Sequence, residues 1–279
     1  MAVLGIAIQS QTGIPLFLDS WSDKLVAFHE GSPILISGFL AALSSFASSY
    51  KQDISYIRLR PVDYHDDPFG IDGVYSFIGK YMILIFTDPY QFHEMVNYKI
   101  QWIYNKVLFR YENMLKVGKV PNLTKDERTF IEYTLMDNVA WEMIYKKTKQ
   151  LNTAADSIIK REFPGDVFGC FITSFDNSIL YTYGMDRAET EIYLNNSGNK
   201  GSSLQNGEIF HNYVSLPGLE PRLVVMTNSG VRTEISDILG GASVGYGGVP
   251  YYYYMITDTN IALGPIVEAL IDKFNAILI

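Results

Sequence analysis

The segments Val3-Leu4-Gly5-Ile6-Ala7-Ile8-Gln9-Ser10 and Val167-Phe168-Gly169-Cys170-Phe171-Ile172-Thr173-Ser174 lie over one another without a gap, with valine, glycine, isoleucine and serine coinciding. Both are β-branched or aromatic runs of strand length. In the first, Val3 to Ile8 is separated from a second apolar run, Ile14 to Leu18, by Gln9-Ser10-Gln11-Thr12-Gly13. Two such runs around a glycine-containing turn predict a β-hairpin. A chain that opens this way twice predicts two related α/β modules.

Outward from the first hairpin, Ser32 before Pro33 supplies an N-cap and a proline at the first helical position. Ile36, Phe39, Leu40, Leu43, Phe46, Ala47 and Tyr50 then recur at helical spacing. Asp53 to Val62, Val74 to Lys80 and Tyr81 to Thr87 read as three further strands, and Asp88-Pro89 starts a second helix carrying Phe92, Val96, Ile103 and Val107. Thr124-Lys125-Asp126-Glu127 is a capping box, opening a helix predicted to extend as far as Glu162. Phe163-Pro164-Gly165 ends it.

The second module repeats the plan. Ile209 to Leu216, Leu223 to Thr227 and Val249 to Thr257 are strand-like, Ile261 to Ile277 is a closing helix, and Thr257-Asp258 matches the Thr87-Asp88 junction. Where the first module has its serine-rich helix, Asp186 to Gly207 is polar and predicts a loop or a much-shortened helix. The expected organisation is therefore residues 1–120, a helical extension or linker at 121–164, and 165–279.

With 48% apolar and 19% charged residues, the 279-residue chain can bury a core and does not read as disordered. Its 22 basic and 30 acidic residues leave a net charge of −8, which opposes the phosphate attraction behind nucleic-acid binding. A single cysteine, Cys170, rules out an intramolecular disulfide and suits a reducing compartment, so a cytoplasmic protein is expected. The apolar N-terminus lacks a basic leader and a cleavage site and reads as a strand rather than a signal peptide. Gly31 to Tyr50 is a long uncharged run, but its serines dilute it too far for a membrane span.

No residue is assigned a catalytic, cofactor-binding or metal role. The glycine-rich stretch Gly240 to Gly248 lacks the lysine and following helix of a phosphate loop. His29, His65, His93 and His211 show no metal-ligand spacing, and the nearest approach to an acid/base or metal site is His65-Asp66-Asp67, read as a solvated loop. Cys170 aligns with Ile6 and reads as a core thiol. Lys146-Lys147-Thr148-Lys149 and Lys160-Arg161 are candidates for peripheral contact with anionic lipid or an acidic partner, against the ordinary reading of a charged helix face.

The first helix stands out because a surface helix ordinarily shows charges on its outer face. With the apolar row inward, the outer face would consist of Ser37, Gly38, Ala41, Ser44, Ser45, Ser48 and Ser49, small groups that let another helix approach closely. These seven residues are the candidate protein interface, the competing reading being cover by another helix of the same chain. Twenty tyrosines also permit a small-ligand sensor with polar-tipped pocket walls.

Two strands, a helix, three strands and terminal helices is the order of longin domains and, with an added leading helix, of roadblock domains. The segments GIAIQSQTGIPLFLDSW (Gly5 to Trp21) and PILISGFLAALSSF (Pro33 to Phe46) resemble archaeal longin/roadblock-like proteins. The resemblance covers the first module and reaches the second mainly through element order. It implies an α+β fold of two modules, each a five-stranded, mainly antiparallel sheet packed by helices. It also implies a non-catalytic platform for small GTPases, their regulators or another longin/roadblock protein, in systems of the membrane-trafficking type. A homodimer is a further expectation. The family has no shared catalytic motif, so the resemblance assigns no active-site residue.

Overall fold

Tyr81, Ile83 and Ile85 point to one side of their strand and Met82, Leu84 and Phe86 to the other, and all six are buried. Such two-sided burial requires helices on both faces of the sheet. The computed structural model describes residues 3–25, 33–60, 69–117, 119, 121–198, 204–205, 207–232 and 250–278, with side chains for all of these except 33–36, 231–232 and 250. The chain divides between Met136 and Asp137 into two compact units.

In the first unit the strands are β1 (Val3–Ser10), β2 (Pro15–Ser20), β3 (Tyr56–Leu59), β4 (Ile71–Ile78) and β5 (Tyr81–Thr87). They form an antiparallel sheet in the order β2-β1-β5-β4-β3. The helices are α1 (Pro33–Ser49), α2 (His93–Ile103), α3 (Glu112–Lys116) and α4 (Lys125–Leu135). Val96, Ile100 and Ile103 of α2 and Ile131 and Leu135 of α4 pack on the face carrying Ile6, Ile8, Ile83 and Ile85. Leu40 of α1 joins Leu4, Ala7, Tyr75, Met82, Leu84 and Phe86 on the opposite face. The capping box is formed as expected: the Glu127 amide donates to the Thr124 hydroxyl, and the Thr124 amide to the Glu127 carboxylate at 2.7 Å.

The second unit contains α5 (Asn138–Ser157), β6 (Val167–Thr173), β7 (Ile179–Tyr183), α6 (Arg187–Asn196), β8 (Ile209–Val214), β9 (Arg222–Arg232), β10 (Pro250–Thr257) and α7 (Leu263–Leu278). Its antiparallel sheet runs β7-β6-β10-β9-β8, the same order as the first. Cys170, Ile172, Tyr251, Tyr253 and Met255 pack against Ala140, Ile144, Leu151 and Ala155 of α5 and Ile266, Leu270 and Phe274 of α7. Alternate residues Phe171 and Tyr254 point to the other face and stack with centroids 4.6 Å apart.

The structure departs from the sequence reading after the capping box and decides between its alternatives in the second module. The helix expected to extend from the capping box to Glu162 is interrupted at Asp137, which takes left-handed geometry at φ 52°. Region 121–164 is consequently shared out rather than forming a separate linker: α4 buries its stripe in the first unit and α5 in the second. Of the two alternatives for Asp186 to Gly207, the shortened helix is present as α6, started by Asp186, whose carboxylate accepts from the Glu189 amide at 2.8 Å.

The repeat extends to backbone detail. The pairing of Ile8 with Phe17 and Gln9 with Pro15, across a bulge, recurs as Ile172 with Tyr181 and Thr173 with Ile179. A second bulge separates Val3 opposite Thr87 from Gly5 opposite Phe86, and recurs between Val167 opposite Thr257 and Gly169 opposite Ile256. The turns match as well. Gly13 and Asn177 both have positive φ, and the amides of Ile14 and Ser178 donate to the hydroxyl oxygens of Ser10 and Ser174.

Candidate interaction surface

Helix α1 packs on its sheet through small residues. Ser37, Leu40 and Ser44 are buried and Ala41 is half-buried. Two polar side chains of the sheet reach up to the helix: the Gln9 amide donates to the Ser37 carbonyl at 3.3 Å, and the Tyr75 hydroxyl to the Leu40 carbonyl at 3.4 Å. Burial raises the pKa of the Tyr75 hydroxyl and keeps it neutral, with a smaller opposing influence from its hydrogen bond to Ser44. The β1–β2 turn also comes close, since a Cβ on Gly13 would lie 3.1 Å from that of Ala41. Small side chains at 37, 41 and 44 permit this approach.

The helix is therefore turned relative to the sequence expectation. Ser37 and Ser44 face the sheet, whereas Gly38, Ser45, Ser48 and Ser49 are exposed. The aromatic residues assigned to the core are outside: Phe39 is 60% exposed, Phe46 63% and Tyr50 66%. They fall on one side at helical spacing, and the rings of Phe46 and Tyr50 meet edge to face at 5.2 Å. The result is an uncharged, aromatic outer face. The second unit supplies an internal comparison, because α6, at the equivalent point in the chain order, carries the exposed ion pair Arg187–Glu191 at 3.1 Å. An aromatic exterior is thus not dictated by the module plan.

A polar constellation that the sequence pattern did not reveal joins β3, β4 and α2. Asp72 is fully buried; Arg58 donates to it through Nε at 2.5 Å and Nη2 at 2.6 Å, and Nε2 of His93 lies 2.9 Å from its second oxygen. Burial pushes the carboxyl up, but the Arg58 and His93 hydrogen bonds together outweigh it and hold Asp72 below the usual carboxylate range. The Tyr56 ring packs on His93 at 4.9 Å between centroids. This group ties an edge strand and a helix start to the sheet.

The remaining sequence candidates are dispersed or absorbed by the core. His65-Asp66-Asp67, His29 and Gly240 to Gly248 lie outside the described residues. His211 is exposed on β8. Burial pushes the Cys170 thiol up to about 12, which removes its nucleophilic form at neutral pH. Tyr251 and Tyr253 fill the core, and the hydroxyls of Tyr253 and Tyr254 are held by Asn275 and Asn177 at 2.7 and 2.8 Å. Among the described residues no cluster of three His, Cys, Asp or Glu is placed to hold a metal, and no helix is long and apolar enough to cross a membrane. Compared with models of known families and with characterised proteins, the sequence matches none.

Proposed function

We propose that this protein is a non-catalytic interaction module, a scaffold or regulator of small GTPases of the longin/roadblock type, and that α1 is its binding helix. The observation that carries the reading is the outer face of α1, where Phe39, Phe46 and Tyr50 stand in water on a helix free of charged residues. Leaving three large rings exposed forgoes burial of about 1.5–3 kcal/mol each, and such a patch marks a surface that is covered in use. Aromatic residues flanked by small ones also suit an interface core, where charge is depleted.

Element order adds support. The first unit runs strand, strand, helix, three strands, helices, the order that longin domains share. The second has α5 in front of the same series, and a leading helix of this kind is the roadblock variation. Fold likeness is a weaker warrant for activity than the surface itself.

The test is capture by the full chain of small GTPases, nucleotide-free and GTP-loaded, together with longin/roadblock proteins, and light scattering for a second copy of the chain. A complex or dimer lost in Phe46→Arg supports the reading. A chain that stays monomeric and retains none of these partners refutes it.

A further inference from the structure

Helix α5 presents aromatic rings and cations on one exposed face. Trp141 and Tyr145, one turn apart, stack with centroids 5.0 Å apart and planes 14° from parallel. Both stay in water, at 47% and 65% exposure. Lys149 continues the row one turn further, Lys146 lies beside it, and both are exposed. The buried stripe Ala140, Ile144, Leu151 and Ala155 occupies the other side, so the core does not use these rings.

Charge is unevenly placed in this unit. Lys146, Lys147, Lys149, Lys160 and Arg161 all fall within one helical stretch of a chain whose net charge is −8. Lys160 is paired with Asp156 at 2.6 Å, and Lys147 donates to the Ile277 carbonyl. Lys146 and Lys149 have no ion-pair partner among the described residues. Glu142, beside Trp141, is an acidic residue on the same face, and Asp156 follows two turns beyond Lys149, held by Lys160 and the Tyr183 hydroxyl.

We propose that this face of α5 docks on an anionic lipid surface. Negative lipid headgroups complement the two unpaired lysines, and a net-negative chain can approach such a surface only through a local basic patch. Trp and Tyr settle at the boundary between headgroups and acyl chains, while lysine stems extend along apolar surface and keep their ammonium groups in water. An acidic polypeptide would satisfy the lysines but offers the stacked rings no apolar phase. Binding is peripheral, with the helix lying along the interface. It uses a different helix from the proposed α1 surface, so the failure of one leaves the other standing.

The experiment is co-sedimentation of the full chain with phosphatidylcholine vesicles, with and without about one-third phosphatidylserine, at low and high salt. Binding is expected only to the phosphatidylserine vesicles and is expected to weaken with salt. Each of Lys146→Gln and Lys149→Gln weakens it about fivefold, and Trp141→Ala on the order of tenfold. Trp141→Phe removes a fluorescence blue shift that the native chain shows on vesicle addition. All three positions are exposed, and circular dichroism confirms that each variant is folded. Binding unchanged in the lysine double variant, equal binding to neutral vesicles, or no binding to either overturns the proposal. Retention by polyglutamate without vesicle binding also overturns it, in favour of an acidic protein partner.

Discussion

Placing arginine at 44, 45 and 46 in turn separates the two possible orientations of α1. Ser44 is 9% exposed and lies against the Tyr75 hydroxyl, so Ser44→Arg forces a long cation between helix and sheet. The buried charge and displaced packing cost about 3–5 kcal/mol. Ser45 is exposed, and Ser45→Arg changes stability by about 0.5 kcal/mol or less. Phe46 already has 63% of its surface in water, so Phe46→Arg sacrifices only the residual contact, including its ring pair with Tyr50, on the order of 1 kcal/mol. Assembly has the opposite order: it survives in Ser44→Arg to the extent that the protein folds, and is lost in Phe46→Arg. Urea unfolding followed by circular dichroism gives the first quantity, with the two units treated as separate transitions where they do not coincide. Sedimentation velocity gives the second. A native-like Ser44→Arg beside an unfolded Phe46→Arg would show that the rings face the sheet and would refute the orientation.

Three further outcomes follow from the packing. Asp72→Asn is expected to cost about 2 kcal/mol, below the value for a wholly buried pair because Arg58 keeps 40% of its side chain in water. Because the folded pKa of Asp72 is lowered, its contribution is complete above the unfolded value of about 4 and is lost as pH falls through the folded value; acid titration of Asp72→Asn should lack that component. Gly5→Ala places a Cβ 2.8 Å from the Asp19 carbonyl oxygen, and Gly169→Ala places one 3.0 Å from that of Tyr183 and 2.5 Å from the flexible end of Met185. Each should lower the thermal midpoint by the equivalent of about 1–3 kcal/mol, Gly5→Ala more, and an unchanged midpoint would contradict the close strand approach. A disulfide reagent such as Ellman's should modify Cys170 only as the second unit unfolds, and prompt labelling of the native chain would disprove its burial.

Much of the plan is legible locally. The hairpin repeat, the alternating strands and the Thr124 capping box are written in residues that act on their own neighbourhood, and they appear where the sequence places them. The break at Asp137 is not, because Asp in left-handed geometry carries no local mark comparable to a glycine or proline, and the pattern on either side stays helical. The Arg58–Asp72–His93 group is invisible for another reason: its members come from two strands and a helix, and only strand register and helix placement bring them within hydrogen-bond reach.

What the sequence by itself determined is the order of elements, their duplication and a first helix without charges. Periodicity marked its two stripes but not which one faces inward, since aromatic and small residues are both compatible with burial when no charge sets the polarity. The tertiary structure decided that. Gln9 and Tyr75 rise from the sheet to the helix carbonyls and leave room for Leu40 and the small Ser37, Ala41 and Ser44, which turns Phe39, Phe46 and Tyr50 outward.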